Sequence, residues 1–256
     1  MEKRSCFREF SRYTTLSILG TLGVSCYILA DTFFVSAGLG AKGLAALNLA
    51  IPVYNFIHGT GLMLGMGGAA RFSVSKRQNK QGQVDAIYSN TVRLAAIFSV
   101  LFFVVGMFFA GNLATILGAD AQIYEMTTVY LKWLLIFAPA FIFNDVFLCF
   151  VRNDGSPQLS MTAMLIGSFS NILLDYIFIF PLHMGLFGAV FATGLSPIIS
   201  MIFMTPHWLK RKNTFHMIRE QFLADMAKKT IALGMPSLIA QVSAGVVMIV
   251  FNMLIL

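Results

Sequence analysis

The chain has 256 residues, of which 57% are hydrophobic and only 11% charged, and its formal net charge is +7. Ordinary soluble domains carry about a quarter of charged residues, so this composition excludes a chain that covers its whole surface with polar groups. The basic residues lie between apolar runs and are not interleaved with aromatic residues as in a binding platform, which argues against a nucleic-acid partner.

Seven apolar runs are each long enough to cross a bilayer, since a transmembrane helix needs about 20 predominantly apolar residues. In chain order they are Tyr13 to Ala37, Leu44 to Ala70, Ala86 to Ala110, Ile123 to Phe150, Leu159 to Phe180, Leu186 to Leu209 and Ile231 to Leu256. The sequence therefore predicts an all-α, polytopic membrane protein with lipid as its main solvent. The seventh run reaches the end of the chain without a closing polar segment, so we expect a truncated protein. The three cysteines, Cys6, Cys26 and Cys149, show no metal-ligand spacing and are assigned to packing.

Basic residues indicate the direction of these spans, because short cytoplasmic loops retain Lys and Arg during insertion. They concentrate before the first span, around residues 71–93, at Arg152 and in residues 210–229, whereas Lys42 and Lys132 fall on the other side. This asymmetry predicts a multi-pass protein of the cell membrane with a cytoplasmic N-terminus.

The first span contains a carboxylate, Asp31, about 27 Å along the helix from Tyr13. An Asp at the centre of a span costs roughly 3 kcal/mol on insertion scales, so it predicts a functional site with a partner. The span lacks proline, and we expect Gly20 and Gly23 to supply any flexibility it needs.

The second and fourth spans add weaker candidates. Asn48 and Asn55 are seven residues apart, so they share one helical stripe and are expected to face a cavity. His58 is interpreted as a hydrogen-bonded packing residue. In the fourth span, Tyr130 enters the layer of Asp31, whereas Asp145 with Asn144 lies near Arg152 and predicts an interfacial pair with it.

The fifth and sixth spans supply the strongest polar group. Asn171 lies four residues before Asp175, so the amide and the carboxylate share one helical face, and Asp175 reaches a depth similar to that of Asp31. Thr193, in the descending sixth span, adds a hydroxyl at a comparable level. Two carboxylates with amide and hydroxyl oxygens suit a small hard cation or a shared proton. The alternative is that each acid caps a helix end or reaches the interface.

Four segments of the chain resemble the multidrug and toxic compound extrusion family, particularly its bacterial multidrug-export branches. They are ADTFFVSAGLGAKGLAALNLAIPVYNFIHGTGLMLGMGGAARFSVSKRQ, FVRNDGSPQLSM, NILLDYIFI and GMPSLIAQVSAG. The resemblance implies a two-lobe (6+6) transporter, of which residues 1–220 are the six-helix N-terminal lobe and residues 221–256 are a cytoplasmic linker and the first helix of a truncated C-terminal lobe. The missing C-terminal lobe is then a partner.

The resemblance also implies a function, a secondary antiporter and not an enzyme, which exports amphipathic organic cations in exchange for Na⁺ or H⁺ without another cofactor. Asp31, Asn171, Asp175 and Thr193 match the cation site of the N-terminal lobe, and Asp31 with Asp175 are the Na⁺ candidates. Tyr130, Asn144, Asn48 and Asn55 are the weaker candidates for the cation site or the cavity.

The sequence disfavours three other functions. A lipid-linked oligosaccharide flippase of the same superfamily would need basic residues deep in its spans to bind a pyrophosphate, and the sequence has none there. A seven-helix receptor would need an external N-terminus, against the charge pattern. An intramembrane aspartyl protease would use two buried acids, but no motif around Asp31 or Asp175 supports proteolysis.

Overall fold

The computed structural model describes residues 2–211, 213–219 and 222–255, and these residues form α-helices and no β-strand. In chain order the helices are α1 (Glu2–Arg77), α2 (Gln81–Ile116), α3 (Tyr124–Ile136), α4 (Ala138–Asn153), α5 (Pro157–Ile179), α6 (Gly185–Met204), α7 (Pro206–Leu209) and α8 (Ala224–Ile255). The predicted all-α class is confirmed. The predicted boundary between residues 1–220 and 221–256 falls on residues 220 and 221, which lie outside the described residues.

The first two predicted spans are joined in α1. Its apolar part, Thr14–Arg77, has 64 residues, which at 1.5 Å each is about 96 Å, or roughly three times the hydrocarbon core of a bilayer. The backbone leaves the helical region at Gly40, where φ is +66° and ψ is −162°. Glycine adopts this conformation without a Cβ clash. Helix α1 therefore consists of a first arm, residues 2–39, and a second arm, residues 41–77.

Two other predicted spans are each divided, and a proline lies just after each division. The span predicted from Ile123 to Phe150 consists of α3 and α4, which meet at Phe137 with a bend of 45°. Pro139 occupies the first turn of α4, where its missing N–H costs no hydrogen bond. The span predicted from Leu186 to Leu209 consists of α6, which ends at Met204, and the short α7, which begins at Pro206.

By length and composition, the described residues contain five helices that can cross a membrane, and a sixth if α3 and α4 form one crossing. Because the first of these five is broken at Gly40, its two arms give two crossings. The total then agrees with the seven predicted spans.

The first arm runs parallel to α5. The backbone of Gly20 lies against Met164, near the start of α5, and that of Gly38 lies against Ile179 at its end. We expected Gly20 and Gly23 to loosen the first span, but both lie where the arm packs closely on α5. The helix is continuous there, and its break is at Gly40.

The second arm packs against α4 and α8. The backbones of Gly67 and Gly234 are so close that a Cβ on Gly234 would overlap the carbonyl oxygen of Met63. Next to this contact, the Arg71 guanidinium donates to the backbone carbonyl of Met226 at 2.8 Å. The start of α8 is therefore held against the Lys- and Arg-rich end of the second arm.

Candidate functional site

The structure brings Asp31 and Asp175 together inside the helix bundle. Asp31 is 8% exposed and Asp175 is fully buried, and their carboxyl groups are close enough to interact. The parallel packing of the first arm on α5 explains this contact, because Gly20 opposite Met164 and Gly38 opposite Ile179 bring the two acids to the same level.

Asn171 links this pair to α6. In the amide orientation that satisfies both neighbours, its Nδ2 donates to Asp175 Oδ2 at 3.1 Å and its Oδ1 accepts from the backbone N–H of Thr193 at 3.3 Å. The Thr193 hydroxyl donates to the carbonyl of Ala189 at 3.0 Å. Asn171 is fully buried and Thr193 is 6% exposed, so these oxygens meet in a site shielded from solvent.

Tyr130 closes the site from α3 and lines the same cavity as Thr193. A cavity of about 230 Å³ opens beside it. Its lining includes both predicted and unpredicted polar residues: Tyr27, Asp31, Thr32, Tyr54, Asn55, Tyr130 and Thr193. Among the described residues, Asn48 is half-buried and is not one of those that line this cavity.

The carboxylate pair retains unused oxygens. Within the described part of the chain, Oδ1 of Asp31 and Oδ1 of Asp175 are both buried without a hydrogen-bond partner. Such atoms are rare in folded proteins and indicate a bound ion, water or proton. Among the described residues, no three or more His, Cys, Asp or Glu side chains are grouped so that they could hold a metal ion. Further ligands for a cation at this pair would therefore be amide and hydroxyl oxygens.

A second pair, formed by the half-buried His58 and the buried Asp145, lies closer to the Lys- and Arg-rich end of the bundle. Nδ1 of His58 is 2.8 Å from Oδ2 of Asp145, although the ring N–H is not aimed well enough at that oxygen for a hydrogen bond. The predicted pairing of Asp145 with Arg152 is wrong, since Arg152 contacts the sulfur of Met66 at 3.3 Å. Asp145 lies two turns, about 10.5 Å, from Arg152 along α4, and its carboxylate is buried beside His58.

Asn144 lies beside His58 and Asp145 and does not line the cavity that contains Asp31. It lines a cavity of about 80 Å³ with His58 and Asp145, and its buried Oδ1 has no partner in the described residues.

Two tyrosines that sequence reasoning missed line both cavities. The hydroxyls of Tyr27 and Tyr54 are 2.5 Å apart, and the ring of Tyr54 stacks on His58 with centroids 5.9 Å apart. Spacing offered a signal, because Tyr27 lies four residues before Asp31 and Tyr54 four residues before His58, each pair on one helical face. These hydroxyls separate the two buried acid sites.

The chain is similar in sequence to multidrug export proteins. The family model MatE matches residues 17–177. The multidrug export protein MepA of Staphylococcus saprophyticus subsp. saprophyticus is 24% identical over 254 residues, which are 98% of this chain and 56% of that protein. The chain thus spans about half the length of this relative.

Solved structures of similar proteins have the same fold. A crystal structure of MATE in complex with MaD3S has a TM-score of 0.85 and 29% identity, over 93% of this chain and 54% of that one. A multidrug resistance MATE family transporter of the MOP superfamily, in an outward-facing conformation, has a TM-score of 0.83 and 29% identity, over 93% and 53%. Because the matched family model covers more than half of the chain, this protein belongs to the MatE family of multidrug and toxic compound extrusion transporters.

Proposed function

We propose that the protein is a secondary antiporter that exports amphipathic organic cations in exchange for Na⁺ or H⁺. The observation that carries this proposal is the buried contact between Asp31 and Asp175, with Asn171 and Thr193 beside it and one unpartnered oxygen on each acid. The name of MepA, a multidrug export protein, supports small organic molecules as the substrates.

The carboxylate pair supports coupling because two adjacent negative charges repel each other away from water. Two unit charges 4 Å apart interact by about 4 kcal/mol at an effective dielectric constant of 20. A monovalent cation or a proton removes most of that repulsion, so the occupied and the empty site favour different separations of the first arm and α5. Neutralisation of the pair then biases the bundle between two packings, as alternating access requires.

The cavity supports an organic-cation substrate in preference to a lipid-linked pyrophosphate. Its lining contains Asp31 and three tyrosines but, among the described residues, no Lys or Arg. A pyrophosphate would need basic partners there, whereas a carboxylate with aromatic rings suits an organic cation. For these reasons a flippase is the less favoured function.

The remaining parts of the proposal concern the whole protein. The chain spans 56% of MepA, which is consistent with one six-helix lobe and the first helix of a second, so we propose that transport needs a second lobe. Basic residues lie at the end of α1, at the end of α4 and near the start of α8. They support a cytoplasmic location for this end of the bundle, and hence a cytoplasmic N-terminus in the cell membrane.

Transport by the product of the complete gene in proteoliposomes tests this proposal. With ethidium as the probe, efflux should follow an imposed Na⁺ gradient or an imposed pH gradient, and the two gradients applied separately identify the coupling ion. Asp175→Asn should lower ion-driven efflux at least tenfold. The matched control is Asp120→Asn, because Asp120 lies in the exposed turn before α3. Unchanged ion-driven efflux in Asp175→Asn would contradict the coupling role.

A further inference from the structure

The connection between α7 and α8 is bound to the bundle at several points. The structure describes its residues 210–211, 213–219 and 222–223. Residues 213–219 and 222–223 form neither helix nor strand and are called the strap. Their backbone groups bond mainly to side chains of α2 and of the turn after α4. Each such hydrogen bond contributes only about 1 kcal/mol to stability, and the strap has no continuous row of backbone hydrogen bonds as a helix or a sheet has. The structure of the strap therefore depends on a few named side chains.

The inner end of the strap has a buried anchor. The side chain of Asp154 is fully buried and receives the backbone N–H of Thr214 at 2.9 Å, as well as the Thr214 hydroxyl. The same carboxylate contacts His207 at 3.0 Å and Lys76 at 2.5 Å. Three separate parts of the chain thus meet on one carboxylate.

Phe215, the next residue, adds an apolar anchor. It is fully buried and its ring packs against Tyr88 and Phe150, with centroids 4.4 and 5.6 Å away. Removal of this ring from its pocket would expose a large apolar surface. The inner end, Thr214 and Phe215, is therefore firmly attached.

The outer part of the strap, residues 216–219 with 222–223, is held differently. Its backbone N–H groups donate to side chains of α2: His216 to Asp85 at 2.8 Å, Ile218 to Ser89 at 2.8 Å, and Leu223 to Asn90 at 3.1 Å. Arg93 donates to the carbonyl of Ile218 at 2.7 Å.

Most side chains of this outer part are exposed, and Ile218 is half-buried. Met217 is 56% exposed, and Phe222 and Leu223 are each 43% exposed. The outer part has no buried side chain comparable to Phe215, so its backbone bonds to α2 carry most of its attachment.

Chain length leaves α8 free to move if these bonds open. Eight residues, 216 to 223, can span about 26 to 29 Å when extended. The length of the connection therefore does not fix where α8 begins, and the docking of the outer part adds to the hydrogen bond of Arg71 to Met226 in holding that start in place.

We propose that the polar face of α2 formed by Asp85, Ser89, Asn90 and Arg93 is a reversible docking site for the outer part of the strap. The docked strap holds the start of α8 beside α2. The undocked strap lets α8 shift against the bundle while Asp154 and Phe215 keep the connection attached. This inference concerns the folded chain itself and does not depend on the proposed export activity.

Amide hydrogen exchange with residue-resolved fragmentation, on the purified chain in lipid nanodiscs, tests the difference between the two parts of the strap. The amides of Ile218 and Leu223 should exchange at least tenfold faster than that of Thr214, yet at least tenfold slower than in an unstructured peptide. The double variant Ser89→Ala/Asn90→Ala should accelerate Ile218 and Leu223 about tenfold and leave Thr214 within twofold. Ser99→Ala, on α2 away from the strap, is the matched control and should change none of them.

A distance measurement tests the consequence for α8. Spin labels at positions 83 and 225, on either side of the cavity between α2 and the start of α8, are introduced as Gln83→Cys and Asp225→Cys after the native cysteines are replaced by serine. With both labels in place, the addition of Ser89→Ala/Asn90→Ala should populate a longer separation between the labels than in the labelled parent. Equal acceleration of Thr214 and Ile218 in the double variant, exchange of the outer amides at the free-peptide rate in the unmodified chain, or an unchanged label separation would each overturn the proposal.

Discussion

His58 Nδ1 lies 2.8 Å from Asp145 Oδ2, and this pair sits within the bundle at a different level from Asp31 and Asp175. Asp145 is 4% exposed, so its carboxylate depends on one imidazole for compensation. Removal of one partner from a buried pair leaves an uncompensated polar group, whereas removal of both leaves an apolar contact. The energetic coupling between these residues is therefore measurable.

We expect His58→Leu to lower the free energy of unfolding by about 3 kcal/mol and His58→Leu/Asp145→Leu to lower it by less than His58→Leu alone. Unfolding in mixed micelles, followed by loss of helicity, measures both. His183→Asn is the control, because His183 lies in an exposed turn with φ of +51°, a conformation that Asn tolerates; it should stay within about 0.5 kcal/mol. Equal costs for the single and the double variant would show that the pair is not coupled.

Gly234→Ala should destabilise the contact between the second arm and α8 by about 1 to 3 kcal/mol, because the new Cβ would overlap the carbonyl of Met63 and the backbone must move. Gly82→Ala provides the comparison, since Gly82 lies in the first turn of α2 with open space around it. That substitution should leave stability unchanged or raise it by up to about 1 kcal/mol. The same unfolding measurement applies, and a neutral Gly234→Ala would mean that the two helices do not approach as closely as described.

Thr193→Val should lower ion-driven efflux about tenfold, because it removes the hydroxyl beside Asn171 and Tyr130 while keeping the shape of the side chain. One hydrogen bond of roughly 1.4 kcal/mol corresponds to that factor. Thr193→Ser retains the hydroxyl and should stay within twofold. The efflux assay with ethidium compares the two variants, and equal rates for Val and Ser would remove the hydroxyl from the coupling site.

Asp154 predicts a loss of stability in acid. Burial raises the pKa of its carboxyl, but hydrogen bonds from His207, Lys76 and Thr214 outweigh burial and hold that pKa below its ordinary value of 3.8. A group with a lowered pKa in the folded state stabilises the fold above its ordinary pKa and loses that contribution as the pH falls through the folded value. Stability should therefore decline below about pH 4.

Asp154→Asn isolates this contribution. At pH 7 the variant should be about 2 kcal/mol less stable, the scale of a hydrogen bond to a charged group, and it should lose less stability than the parent between pH 5 and pH 2. Chemical unfolding at several pH values measures both differences. Parallel pH profiles for the two proteins would assign the acid sensitivity to other carboxylates.

The helices and most of the carboxylate site were predictable because both depend on local spacing. Apolar runs of about 20 residues identify spans, and the interval of four between Asn171 and Asp175 places them on one face whatever surrounds them. The equal depth of Asp31 and Asp175 followed from rise per residue alone, and the structure places these two residues together.

The rest depends on contacts between distant parts of the chain. Asp145 was assigned to Arg152 because the two are close in sequence, whereas its partner, His58, lies 87 positions away on another helix. The sequence also did not predict that the first two spans are joined by a break at Gly40. A glycine in an apolar run is compatible with close helix packing or with a positive φ. Only the pairing of the helices distinguishes such alternatives.

The parallel contact of the first arm with α5 makes the distance between two charges a measure of how one helix slides on another. A displacement by one residue changes the axial offset of Asp31 and Asp175 by about 1.5 Å, which is enough to break a hydrogen bond. Under the proposed function, a cation bound between them would hold the two helices at one axial register. Substitutions at Gly20 or Gly38, whose backbones contact Met164 and Ile179 and neither acid, would then change ion affinity by displacing that register.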